Sequence, residues 1–197
     1  MDDFGLEGHG APSPIEIVSS DELDDVAPGG ELPGGLPVLP LRDMVTYPGT
    51  LTPLAVGQPR SMELIDAVLS GDRQLVMVAS RDPELDEPGP EQLEKVGVAG
   101  FVARMLKIPD GTIRILVQGT HRVRLDRFTA TEPYLVAEIT ELPDVVVDGP
   151  ELQALTANVQ RTFSEIIEQI PYLPEELQLA VTNVEDPSAL AHLIAGS

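Results

Sequence analysis

Residues 105–125 read MLKIPDGTIRILVQGTHRVRL, and the fold turns on how this stretch is understood. Pro109-Asp110-Gly111 is turn chemistry between two apolar runs: proline presets φ, aspartate bonds to its own backbone, and glycine tolerates the tight return. After it, Ile113, Ile115 and Val117 alternate with Thr112, Arg114 and Gln118. A period of two sends side chains to opposite faces of a strand. Gly119-Thr120 reads as a second turn, after which Val123 and Leu125 point one way and Arg122 and Arg124 the other. The stretch therefore predicts a half-buried antiparallel meander with its arginines on the solvent side. His121 shares parity with Val123 and is expected to pack rather than to catalyse.

The basic residues raise a second question, because the chain holds only 12 Lys and Arg against 33 Asp and Glu. Arg104, Lys107, Arg114, Arg122, Arg124 and Arg127 all lie within or beside the opening stretch. A nucleic-acid binder holds phosphates with such residues and usually carries a basic surplus. Here the formal net charge is −21. No aromatic residue lies within 105–125 to stack a base. A wetted sheet face accounts for the arginines better than a nucleic-acid patch, and an acidic surplus also repels anionic lipid.

Outward from this centre the chain falls into three regions. Residues 1–35 hold nine acidic residues, no basic ones, seven Gly and four Pro, too little apolar surface to offset the entropy of ordering. They read as a disordered acidic tail, in which IEIVSSDEL offers a strand that could join a partner's sheet edge. Residues 36–143 read as the β domain. Leu36, Val38 and Leu41 open a proline-interrupted strand suited to an edge. Tyr47-Pro48-Gly49 is a turn, and Leu51 to Val56 form a second strand. PRSMELIDAVLSG is a helix with Pro59 in its first turn, a stripe of Met62, Ile65, Val68 and Leu69, and Gly71 at its end. QLVMVAS is a buried strand. Residues 81–94, with six acidic residues and three prolines, form a surface loop. VGVAGFVARML is a strand, with a buried helix as the alternative, and places Gly97 and Gly100 at bulges or close approaches. PYLVAEITEL adds a last strand.

From residue 144 the period changes to that of a helix. Apolar side chains at 152, 155, 159, 163, 166 and 170 make one stripe. Asp148 with Glu151 resembles a capping box, with Pro150 in the first turn. PEELQLAVTNV reads as a second helix. DPSALAHLIA starts a third, with Asp186 as N-cap and Pro187 at the first helical position. Some 50 residues of amphipathic helix with nothing large to cover them suggest that the natural chain continues past Ser197.

The chemistry of known sites is absent from the sequence. With two lysines, Lys95 after Glu94 and Lys107 after Leu106, no G-x-x-x-x-G-K-[ST] phosphate loop exists. There is no G-x-S-x-G, no cysteine, no calcium-loop pattern, and no histidine pair at i, i+4 among His9, His121 and His192. Neither lysine sits in surroundings that would desolvate it beside a serine. The expectation is a binding module with no catalytic, cofactor or metal residues. No apolar run reaches the roughly 18 residues of a membrane span, and the acidic N-terminus is no signal or transit peptide. A reducing cytoplasm fits the lack of cysteine.

LPVLPLRDMVTYPG, LVMVASRDPELDEP, VGVAGFVARMLKIPDGTIRILVQGTHRVRL and EDPSALAHLIA together resemble the N-terminal domain of bacterial ATP-dependent Lon protease, over roughly residues 36–195. The resemblance implies an α+β fold: a PUA-like, partly closed mixed β-barrel with one helix, then the first helices of an α-helical region. It implies capture of unfolded or damaged proteins and a part in organising a hexamer. The AAA+ motor, the Ser-Lys protease domain, and the ATP and Mg they use would lie outside this chain, leaving it without chemistry of its own. The acidic tail is longer than the family's usual lead-in. Peptide contact is expected at Met44, Tyr47 and Leu51 around the proline turn, and at Met105 and Ile108 flanking the hairpin, since methionine adapts to varied partners. For Leu51 and Met105 a place in the barrel core is the competing reading. The alternative function is a free-standing PUA-like protein that binds RNA.

Overall fold

The computed structural model describes residues 32–108, 112–170 and 175–197. The Pro109-Asp110-Gly111 turn, IEIVSSDEL and most of the acidic tail lie outside them, as does the start of the second helix.

Among the described residues six strands and four α-helices follow in chain order: β1 (Gly35–Leu41), β2 (Leu51–Val56), α1 (Pro59–Leu69), β3 (Gln74–Ala79), β4 (Val96–Lys107), β5 (Ile113–Ala130), β6 (Val136–Glu141), α2 (Pro150–Gln169), α3 (Glu175–Asn183) and α4 (Pro187–Ala195). The sheet order is β2-β5-β4-β3-β1-β6, and β6 pairs again with β5. Pairing thus runs from β5 through β4, β3, β1 and β6 back to β5. The result is a curled, partly closed ring with β2 attached to its outside. Only β1 and β3 run parallel.

The meander differs from its sequence reading at one point. Gly119-Thr120 is no turn; β5 runs straight through it as an 18-residue strand. Its register against β4 slips there, from Ala99↔His121 to Gly100↔Gly119, so that one extra residue sits on β5. A one-residue bulge moves every later side chain to the other face. Ile113, Ile115 and Val117 consequently enter one core with Leu41, Leu54, Ile65 and Met77. Val123 and Leu125, of the same parity, enter a second core with Val38, Val76, Val78 and Leu135. The two halves of β5 therefore expose their arginines on opposite faces, not on one.

Both cores meet at β3, where Leu75 and Met77 face the first and Val76 and Val78 the second. That is why QLVMVAS is a continuous apolar run, the signature of a strand buried on both faces. α1 lays Leu64, Ile65 and Val68 into the first core, and Gly71 follows its C-cap Ser70, donating its N–H to Val68 O at 3.2 Å. Gly97 is required by close approach: a Cβ there would stand 2.5 Å from Met77 O.

β1 is not an edge strand. It lies between β3 and β6, and its prolines survive because each faces a gap in the ladder. Val38 N–H reaches Leu135 O on the β6 side, whereas Leu41 O accepts Ser80 N–H on the β3 side. By alternation, the nitrogen of Pro37 points to β3 one residue before that ladder begins at Val38↔Val76. That of Pro40 points to β6 beyond the last pair, Pro37↔Val136. β2 is the true edge. Its even residues bond β5, so Pro53 turns its missing N–H to the open side.

The helices depart from expectation in their caps and stripe. Gly149, in extended conformation, caps α2 without a side-chain bond, and no Asp148–Glu151 capping box forms. Asp186 does cap α4, accepting from Ala189 N at 2.8 Å. On α2 only Ile167 is buried; Leu155, Val159 and Ile166 remain exposed.

Candidate peptide-binding site

The segment linking β1 to β2 carries two of the five expected contact residues, Met44 and Tyr47, and a third, Leu51, begins β2. Its end is a type II turn: Pro48 at the second position, Gly49 at the third with φ of 78°, and Thr50 N–H returning to Tyr47 O at 3.3 Å. The Thr50 hydroxyl donates to the same carbonyl at 2.6 Å. The turn is stapled to β5, since Gly49 N–H donates to Gly119 O and Gly119 N–H to Thr50 O, at 3.0 and 2.9 Å. A Cβ on Gly119 would meet Tyr47 O at 2.5 Å, so glycine is needed for this contact. The residue pair misread as a turn is the seat on which the real turn rests.

This rigid segment separates two hollows. The first, about 320 Å³, has Met44 at its mouth and Leu41, Leu54, Leu64 and Tyr134 in its floor. Asp86 closes one side, accepting from Arg42 Nη1 at 2.9 Å and Gln58 Nε2 at 3.0 Å. The second, about 450 Å³, is floored by Leu41, Tyr47, Met77 and Val98 and rimmed by Val45, Lys95 and Val96. Both volumes fall in the range of ligand-binding clefts. α4 closes the second hollow. His192 stands with its ring 6.5 Å from that of Tyr47, and Gly196 packs so closely on Thr50 that a Cβ would lie 2.9 Å from its methyl group. Asp144 ties this helix to the barrel: Oδ1 forms an ion pair with Arg122 Nη2 at 2.8 Å, and Oδ2 lies 3.6 Å from His192 Nε2.

The five residues do not form one patch. Met44 and Tyr47 face different hollows, and Leu51, half exposed, begins β2. Met105 packs against the first core, and Ile108 is half-buried at the end of β4, its N–H donated to Thr112 O at 2.9 Å. Neither lines a hollow. Sequence reasoning missed Val45 and Val96, which are 60% and 46% exposed beside the second hollow. Val45 stood in the quoted MVTYPG, where an aliphatic residue next to a turn was the available signal. Val96 read only as the start of a strand.

Three of the six basic residues in or beside the opening stretch, Arg122, Arg124 and Arg127, are engaged by carboxylates. Besides Arg122, Arg124 Nε donates to Asp126 Oδ1 at 2.7 Å and Arg127 Nη2 to Glu138 Oε1 at 2.5 Å. The Thr140 hydroxyl, and then Arg124, hold the Asp126 carboxyl below its ordinary pKa. The Glu138 carboxylate raises that of Arg127. Such pairs make a neutralised surface, not an open phosphate track. His121 is half-buried in β5, with a buried Nδ1 that has no hydrogen-bond partner among the described residues. Among the described residues no cluster of His, Asp or Glu could hold a metal ion, and no helix is long and apolar enough to cross a membrane.

The family model described as the ATP-dependent protease La (LON) substrate-binding domain matches residues 35–197. A Lon protease of Dictyoglomus thermophilum is 36% identical over 165 residues, covering 84% of this chain and 21% of the relative. Lon protease 2 of Herpetosiphon aurantiacus is 40% identical over 162 residues, covering 82% and 20%. The chain thus spans about a fifth of the length of the curated relatives it matches. The solved N-terminal domain of a Mycobacterium avium complex Lon protease superposes with a TM-score of 0.66 at 25% identity, covering 82% of this chain and 81% of that one.

Proposed function

Because the chain belongs to the Lon protease substrate-binding domain family, we propose that it captures unfolded polypeptide at the 44–51 segment and the hollows beside it. The observation that carries this reading is a turn stapled to β5, with Met44 and Val45 just before it and Leu51 just after it in solvent. A soluble surface presents clustered aliphatic side chains on a rigid frame where it meets a partner. The loop is fixed by the Gly119 bonds, so a captured chain does not have to order it, and the ordering cost of binding is small.

The domain performs no chemistry and uses no cofactor in this reading. ATP, Mg and peptide-bond cleavage belong to the rest of a Lon protease, as does most of the hexamer contact, and the setting is the cytoplasm. What supports this is kinship alone, since the relatives are about four times as long. The RNA-binding alternative gains nothing from the structure, in which Arg122, Arg124 and Arg127 are carboxylate-paired.

Titration of the isotope-labelled chain with unfolded casein tests capture. Saturable amide shifts are expected at residues 44–47 and 96, with Kd of order μM or weaker, as a small apolar patch yields few kcal/mol net. Shifts scattered evenly over the domain, or none, would count against it.

A further inference from the structure

Residues 81–94 read from sequence as an acidic surface loop, and in the structure that loop forms one wall of the first hollow. Asp86, Glu87 and Pro88 line it, together with Met44 and a floor of Leu41, Leu54 and Leu64. The loop holds Asp82, Glu84, Asp86, Glu87, Glu91 and Glu94 against a single base, Arg81. It is fastened at several points. Pro88 is buried, and Asp86 Oδ1 accepts from both Arg42 and Gln58. Glu84 N–H donates to Asp82 Oδ1 at 3.0 Å, Gly89 N–H to Gln92 Oε1 at 2.6 Å, and Glu94 N–H to Ala79 O at 3.0 Å. The wall is therefore in place before any ligand arrives.

A charge that already has a partner selects little, so the open ones decide what the hollow prefers. Arg42 and Asp86 satisfy each other at 2.9 Å. Arg60 has no carboxylate partner among the described residues, but its Nη2 donates to Thr131 O at 2.6 Å. Asp43 and Glu87 are exposed, line the hollow, and belong to no ion pair among the described residues. Two open carboxylates thus flank Met44 and the apolar floor, against one cation that is bonded to the backbone.

We propose that Asp43 and Glu87 make the first hollow selective for apolar side chains flanked by Lys or Arg. This rests on the capture reading and names the cargo it favours: hydrophobic stretches with basic neighbours. The floor takes the apolar side chain, and the two carboxylates meet an ammonium or guanidinium group at the edge. A solvent-facing pair adds little affinity, but an acidic neighbour at the same place is repelled. Discrimination between cargoes then exceeds the strength of either contact alone.

The test uses peptides that share one Leu-Phe-Leu centre and differ only in their flanks, which are Lys, Gln or Glu. Binding is read from amide shifts of Met44, Leu54 and Glu87, which line the first hollow and not the second. At about 50 mM salt, where screening is weak, the Lys peptide should bind about threefold tighter than the Gln peptide, and the Glu peptide about threefold weaker. Asp43→Asn with Glu87→Gln should bring the three together while leaving the Gln peptide's Kd unchanged, and about 0.5 M salt should do the same. Glu151→Gln with Glu165→Gln, on α2, should leave the order as it was. A Gln peptide that binds with the same Kd as the other two overturns the selectivity and leaves capture standing. A Lys preference that survives the Asp43 and Glu87 changes assigns it to the net charge of −21 at large and also overturns the proposal. If none of the three binds, capture at this hollow falls, and the selectivity with it.

Discussion

In the barrel, Ile65, Leu75, Val117 and Val123 are wholly withdrawn from water, whereas on α2 Leu155, Val159 and Ile166 stand in it, although the three recur at helical spacing. Barrel and helices carry comparable apolar patterns, yet only one region has an opposing surface for its pattern. In the barrel the bulge at Thr120 lets one strand feed two cores, and α1 covers the first. The helices α2 to α4 have each other and little else: among the described residues Ile167, Val181 and Leu190 are their buried side chains. Periodicity states which face a residue shares; burial depends on whether anything faces it.

The contrast can be broken most directly by paired truncations. Ile65→Ala should cost about 2–5 kcal/mol, the range for emptying a packed core position, read from the urea midpoint at constant slope. Ile166→Ala should change stability by about 0.5 kcal/mol or less, as at other exposed positions. Equal losses would show that the two regions do not differ as described. A smaller effect sharpens how the helices hold together. Gln160 Nε2 donates to Val181 O and Val184 O at 3.1 and 3.0 Å, satisfying carbonyls at the end of α3. Gln160→Leu should cost about 1 kcal/mol. It should appear as faster amide exchange in α3 with β3 and β4 unchanged, unless the helices and barrel unfold as one unit.

How much of this was legible beforehand differs between the same two regions. β2 was placed to the residue, and α1 and β3 to within two or three, because alternation, a helical stripe and an N-terminal proline are local signals. Gly119-Thr120 was misread because glycine is common to turns and to bulges, and only the register against β4 tells them apart. The prolines of β1 suggested an edge because the sequence does not reveal which side of a strand lacks a neighbour. Of the candidate site, the proline turn beside Met44, Tyr47 and Leu51 was legible. The division of Met44 and Tyr47 between two hollows, and the exposure of Val45 and Val96 beside the second, depend on α4 and on β5, which lie far off in the chain.

The least effect is expected at the surface of the barrel. Thr140 Oγ1 donates to Asp126 Oδ2 at 2.5 Å and Arg124 Nε to Oδ1 at 2.7 Å, which lowers the pKa of Asp126 from its usual 3.8. A depressed carboxyl contributes stability that is complete above the unfolded value and is lost as pH falls through the folded one. The side-chain titration followed by NMR should therefore have its midpoint below 3.8. Thr140→Val should move that midpoint upward, since the hydroxyl is the larger cause. A midpoint unmoved by the substitution would assign the shift to Arg124.

Pro53 has a wider consequence. A protein that handles loose polypeptide keeps company with backbones in search of a ladder to join, and an outermost strand is an invitation to them. With Pro53 midway along β2 and no donor on its open side, growth by strand stacking stalls after a residue or two. In the proposed reading cargo is held chiefly by its side chains, and a grip of that kind can be released.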